Sequence, residues 1–136
     1  MKKTWAGITV AVGMTAAIAA FGAAGEHHVR VPLEAADPSS SVKGFVNVVA
    51  RPQGGATIMV MATGLAPNTT YTSFYYESAD CSAPADKVET FTSGADGRGR
   101  VRGESDDDLD EIGSVSIRLG SDYGDLIACA ALHAKK

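Results

Sequence analysis

The sequence predicts an all-β protein: an antiparallel Greek-key (immunoglobulin-like) β-sandwich of about eight short strands with one disulfide. Three observations carry this. Apolar residues alternate with polar ones at period two after residue 25, the spacing of half-buried strands rather than helices. Clusters of Gly, Pro, Asn and Asp interrupt that alternation at near-regular intervals, as in sandwiches built from short strands. Two cysteines, Cys81 and Cys129, follow an export signal, and thiols in an oxidising compartment pair.

The export signal occupies residues 1–24. Lys2 and Lys3 form a positive start, residues 6–20 are apolar without a charge, and small residues follow with candidate cleavage sites around Ala19 and Ala24. That is the plan of a secretory signal peptide. A retained anchor is the competing reading, since residues 4–25 are long enough to span a bilayer. Four glycines and a preference for Ala over Leu disfavour it. No later stretch is long and apolar enough to span, so no stable membrane span is expected once the signal is removed. The expected location is secreted, or periplasmic and cell-envelope, by bacterial-type export.

Residues 25–43 form an N-terminal strand and loop joining the domain, and 44–136 form the sandwich. Expected strands are 28–33, 44–50, 56–63, 70–77, 88–92, 98–103, 112–119 and 126–134. Pro38-Ser39-Ser40-Ser41 is loop, Pro52-Gln53-Gly54-Gly55 a tight connection, and Gly64-Leu65-Ala66-Pro67-Asn68 a corner. Ala95-Asp96-Gly97 reads as a hairpin turn after which 98–103 pairs back, because Asp-Gly supplies the positive φ that tight turns need. No amphipathic helix is visible beyond the signal.

Composition limits the partners. The chain carries a net charge of −4, and losing Lys2 and Lys3 with the signal takes two positive charges away, to −6. Such a balance argues against nucleic acid and anionic membrane surfaces. The nearest thing to a basic run is Arg98, Arg100 and Arg102, alternating on one short strand. A bond between Cys81 and Cys129 closes a loop of 48 positions. In the chain-entropy account this is worth about 4 kcal/mol, against a typical domain stability of about 5–15 kcal/mol. The bridge therefore reads as structural. A reactive or metal-binding pair would need close spacing or extra Cys and His neighbours.

Several pieces occur together and in order: the Gly64-Leu65 corner, an aromatic strand leading to Cys81, the Asp96-Gly97 turn, the strand 113–119, and Leu126-Ile127-Ala128-Cys129-Ala130. In these the chain resembles a copper/zinc superoxide dismutase-like domain over most of residues 28–134. The resemblance implies a β-sandwich with a bridge from the loop cysteine to the last strand. It also implies a His-x-His near Ser73 and Tyr75, further His and Asp ligands after Cys81, and another His on the late strand. None of these is present. Six residues separate Cys81 from Val88 without a His, the late strand reads Ser116-Ile117-Arg118-Leu119, and the loop before the last strand is only 120–124. A counterpart to the family's substrate-guiding arginine is not evident there. Copper redox chemistry of that type needs several imidazoles on one ion. The chain has 3 histidines, two of them adjacent. It is expected not to be an enzyme.

Other candidates remain. Tyr71 and Tyr75 share one face of the aromatic strand, while Thr72, Phe74 and Tyr76 share the other. One set is core, and Tyr71 with Tyr75 are candidates for an exposed partner surface, against ordinary cross-strand packing. Asp106, Asp108 and Asp110 lie in a dense acidic loop that offers hard oxygen ligands for calcium. However, Glu111 and Ile117 stand where an EF-hand needs Gly and Glu. If the signal is cut after Ala24, the mature chain begins Gly25-Glu26-His27. An α-amine, two deprotonated amides and an imidazole then form a four-nitrogen plane for Cu(II), with His28 as a further ligand. His133 reads as a strand residue, and the sequon at Asn68-Thr69-Thr70 as turn chemistry. No cofactor is expected beyond that N-terminal copper. The expected function is a secreted non-enzymatic β-sandwich with a binding or envelope-associated role, its partner an unidentified protein or small ligand. The alternative is an extracytoplasmic Cu(II)-binding protein using Gly25-Glu26-His27.

Overall fold

A computed structural model describes residues 27–133. The strands are β1 (His28–Ala35), β2 (Lys43–Ala50), β3 (Ala56–Thr63), β4 (Thr70–Tyr76), β5 (Ala85–Thr92), β6 (Gly99–Ser105), β7 (Ser114–Leu119) and β8 (Leu126–Ala131). Every pairing is antiparallel, in the order β5-β4-β7-β8-β1-β2-β3-β6. The protein is all-β with one disulfide, as its sequence predicts.

Period-two alternation is what builds the interior. Val46 and Val48 of β2, Ile58 and Val60 of β3, Val101 of β6, Val115 and Ile117 of β7 and Ala128 and Ala130 of β8 belong to one buried cluster. The strands fall into two halves, β1-β2-β3-β6 and β5-β4-β7-β8, that share this core. β1 joins them by changing partners. Leu33 still pairs with Gly44 of β2, but Glu34 and Ala35 pair with Cys129 and Ala128 of β8.

The other seam is closed without a backbone ladder. The 98–103 segment does not pair back on the preceding strand, as its turn implied; β6 pairs with β3 instead. Asp96-Gly97 does form a turn, with Gly97 at φ +78°. Its backbone is occupied elsewhere, since Gly97 accepts a hydrogen bond from the amide of Leu65 at 3.0 Å. That contact steers the chain across to the other half. β5 then leans on β6 through side chains. A Cβ at Gly103 would sit 2.7 Å from Val88 Cγ1, and one at Gly99 would sit 2.5 Å from the Phe91 ring. Two glycines therefore let β5 side chains lie directly against the β6 backbone.

Ends and corners follow local chemistry. Asn68 takes φ +53° in the Pro67-Asn68 corner, a conformation Asn tolerates better than most residues. A short 3₁₀ turn, η1 (Leu109–Glu111), was not legible as a helix. It inserts Leu109 into the end of the core beside Ile112. Among the described residues no helix is long and apolar enough to cross a membrane.

Candidate functional site

The outer face of β4, β7 and β8 carries the densest polar network. Cys81 and Cys129 are bonded, with Cα atoms 6.1 Å apart, within the usual range for a bridge. The bond ties the loop after β4 to the last strand. Serines fix that loop further. The Cys81 amide donates to Ser114 Oγ at 3.0 Å, and Ser114 Oγ donates to the Ser78 carbonyl at 2.7 Å.

Arg118 of β7 is the centre of this face. Its Nε donates to the Tyr76 hydroxyl at 3.0 Å, its Nη1 to the Gly124 carbonyl at 2.9 Å, and its Nη2 to the Cys81 carbonyl at 3.2 Å. Its guanidinium also lies 3.8 Å from the centroid of Tyr123. The planar fork thus holds the disulfide loop and the β7–β8 loop at once, a geometry a lysine cannot reproduce. The Tyr76 oxygen, which accepts from Arg118, is also hydrogen-bonded to Ser116 Oγ, 2.7 Å away. Tyr123 caps the cluster, edge-on to Phe74 with centroids 5.1 Å apart. Burial raises the Tyr123 phenol above its ordinary value, although the side chain stays 44% exposed; the hydrogen bond with Tyr76 adds to the rise, and Arg118 opposes it. Phe74, Ala83, Ala85 and Tyr123 bound an open notch of about 290 Å³ beside the network.

Chemically, this is a latch. The phenol of Tyr76 and the guanidinium of Arg118 are committed to protein partners, and Ser116 has no imidazole or carboxylate in the network to activate it. The positions nearest to the expected His-x-His face elsewhere. Tyr75 belongs to the central core, and Ser73 is fully buried with its hydroxyl unpaired.

The tyrosine pair proposed as a partner surface is corrected by the same alternation. Tyr71 and Tyr75 are 3% and 7% exposed and pack in the main core, Tyr71 stacking on Phe91 at 5.8 Å. Phe74 and Tyr76 are also buried, under the two loops. The aromatic strand is covered on both faces, so neither set is a free patch. Burial raises the Tyr75 phenol, the Ser105 hydroxyl opposes this, and the charges of Asp86, Asp107 and Asp106 add to the rise.

The acidic loop also differs from a calcium site. Asp108 Oδ1 accepts the Gly55 amide at 2.9 Å, and Glu111 accepts the Asp108 amide at 2.9 Å. These bonds use Asp108 and Glu111 to pin η1 to the β2–β3 turn. Asp106, Asp108 and Asp110 do not form a ligand set, since among the described residues no three His, Cys, Asp or Glu side chains are placed to hold a metal ion.

Gly25 and Glu26 lie outside the described residues. His27 is exposed at the entry to β1, its carbonyl accepting the Ala50 amide at 2.9 Å. His28 is hydrogen-bonded to Asn47 across the β1–β2 pair. His133 is exposed at the rim of a cleft that includes Asp108 and Asp110. Sequence reasoning missed Arg118, Tyr76 and Tyr123 as one unit. Strand alternation is the one signal that puts Arg118 and Ser116 on one face, and nothing local puts Tyr123 and the Cys81 loop above them. No protein-family model matches the chain, and no curated protein matches it.

Proposed function

We propose that the chain is an exported, disulfide-stabilised, non-enzymatic protein with a binding or envelope-associated role, on a catalytically degenerate copper/zinc superoxide dismutase-like scaffold. Support for the scaffold is the order of its pieces in the sequence, together with a bridge from the loop cysteine to the last strand. One observation carries the non-enzymatic reading. The outer face of β4 and β7 is filled by Phe74, Tyr76, Ser116 and Arg118, whose polar atoms are spent on holding two loops. A redox copper site of the family's kind needs several convergent imidazoles, and the positions where the resemblance implies two of them are Ser73 and Tyr75, both buried. The test is superoxide removal by the purified mature protein, with and without added copper and zinc. No rate above that of free metal is expected; an enzymatic rate overturns the reading.

A second reading places Cu(II) on a processed Gly25-Glu26-His27 terminus. It is favoured by the exposure of both His27 and His28 at the start of β1. On this reading His27→Ala abolishes tight Cu(II) retention in native mass spectrometry. Equal retention by the variant, or a mature chain that starts elsewhere, removes it.

A further inference from the structure

The two halves of the molecule differ in what covers them. Loops around Cys81 and Tyr123 roof the outer face of β4-β7-β8. The outer face of β1-β2-β3-β6 has no such roof among the described residues. Its side chains follow from strand register. Pro32, Phe45, Met61 and Arg100 stand in one row; Arg30, Asn47, Met59 and Arg102 stand in the next. Lys43, opposite Thr63, and Arg98 lie beyond the first row. The third row is His28, Val49, Thr57 and Glu104.

This distribution of charge is uneven. The chain has 12 Lys and Arg, four of which (Lys2, Lys3, Lys135 and Lys136) lie outside the described residues. Five of the other eight, Arg30, Lys43, Arg98, Arg100 and Arg102, are on this one face. Among the described residues Arg30, Lys43, Arg100 and Arg102 form no ion pair, although acids outnumber bases in the chain; Arg98 meets Asp96 at 3.6 Å in an exposed pair. Arg30 is instead spread over the Phe45 ring, 3.8 Å from its centroid. The one carboxylate in the three rows, Glu104, is held by Arg51 at 2.7 Å. Between the cations, Phe45, Met59 and Met61 stay partly exposed and Val49 is 41% exposed. A shallow groove of about 350 Å³ runs between Phe45, Met61, Arg98 and Arg100.

We propose that this face docks on a bilayer surface bearing anionic phospholipid headgroups. The proposal rests on the export reading above and names the envelope partner it leaves open. Net charge alone argues against such a surface, but the placement of that charge reverses the argument. The acidic η1 loop lies at the far end of β3 from Lys43 and Arg98, about 23 Å along seven strand residues. That exceeds the Debye length of about 8–10 Å at physiological salt. Glu34 continues this face of β1 beyond Pro32, and Asp37 and Asp96 border the basic end, but the five cations outnumber these three acids. The cations span the width of four strands, about 14 Å. This is too broad for one carboxylate or one extended acidic segment to neutralise, whereas a headgroup plane meets all of them together. Phe45, Met59 and Met61 at the centre supply the apolar contact that interfacial binding adds to charge attraction.

The test is co-sedimentation of the mature protein with vesicles of phosphatidylglycerol mixed with phosphatidylcholine, and with phosphatidylcholine alone. Binding is expected only to the anionic vesicles, and it falls as salt rises. Arg100→Glu with Arg102→Glu weakens it by at least about tenfold, given the contribution of each cation near such a surface. Phe45→Ser weakens it without changing the charge. Lys87→Glu, off this face, leaves it unchanged. Circular dichroism melts show whether each variant is folded. Absence of vesicle binding by the folded parent overturns the proposal. So does tighter binding to soluble polyglutamate with no effect of Phe45→Ser, which assigns the face to an acidic protein. Sequencing the N-terminus of the protein from fractionated host cells tests export separately: an exported chain that ignores vesicles sinks only this docking, whereas an unprocessed cytoplasmic chain sinks the proposed function.

Discussion

Asp107 shows how a single carboxyl carries the cost of an acidic loop. Desolvation by burial is the main cause raising its pKa above the ordinary carboxylate value, and the charges of Glu111, Asp86, Glu77 and Asp106 push the same way. A raised folded-state value means the ionised form is less favourable in the native protein than in the unfolded chain. The penalty is complete above the folded-state pKa and disappears below the unfolded one. Asp107→Asn is therefore expected to raise the melting temperature at neutral pH. That gain shrinks as pH falls through the carboxylate range. Thermal melts of both proteins across pH 3–7 check this, and a gain that persists at the acidic end would contradict it. The Ser105 hydroxyl accepts the Asp107 amide at 2.9 Å, a backbone bond that the substitution leaves in place.

β7 and β8 hold the second half together through two different devices. The first is Arg118, whose removal takes a charged donor from three acceptors, the Tyr76 hydroxyl and the Gly124 and Cys81 carbonyls. Arg118→Ala is expected to destabilise the fold by about 2–3 kcal/mol, the range for charged hydrogen bonds lost from partly buried partners. Arg118→Lys should recover little of this, because an ammonium cannot reach Tyr76, Gly124 and Cys81 together. Urea denaturation of the three proteins gives the comparison; full recovery by Lys would show that charge alone matters. The second device is the disulfide. Replacing Cys81 and Cys129 together by Ser should cost up to about 4 kcal/mol, from the longer reach of the unfolded chain. A double mutant as stable as the parent would mean that serine bonds and the Arg118 fork already hold the loop.

Across the whole molecule, the two halves divide the work. One outer face is closed by a covalent bond, a guanidinium fork and aromatic edges, which suits a rigid structural wall. The other is open, cationic and partly apolar. Net charge describes neither, because a sheet sorts alternate residues onto opposite faces and register then lines them up across strands. Arg30 and Arg102 are 72 positions apart in sequence yet occupy the same row, two strands intervening between theirs. The salt dependence expected for vesicle binding belongs to that row pattern rather than to the overall charge.

Local chemistry in the sequence determined the all-β class, most strand positions, the turns at Asn68 and Gly97, and the pairing of two cysteines. Each depends on near neighbours or, for the cysteines, on there being no other partner. The strand faces were half legible: alternation separated Tyr71 and Tyr75 from Phe74 and Tyr76, but both sets are buried because loops distant in sequence cover the second. The partner of β6 was not legible either. A turn that looked like a hairpin is captured by the Leu65 corner, and long-range packing sends the strand to β3. Only the tertiary structure decided that Arg118 is a latch, that Asp108 pins a turn rather than offering itself to a metal, and that five cations share one face. Each of those outcomes depends on which strands become neighbours, and that is settled by burying one common core rather than by any local spacing.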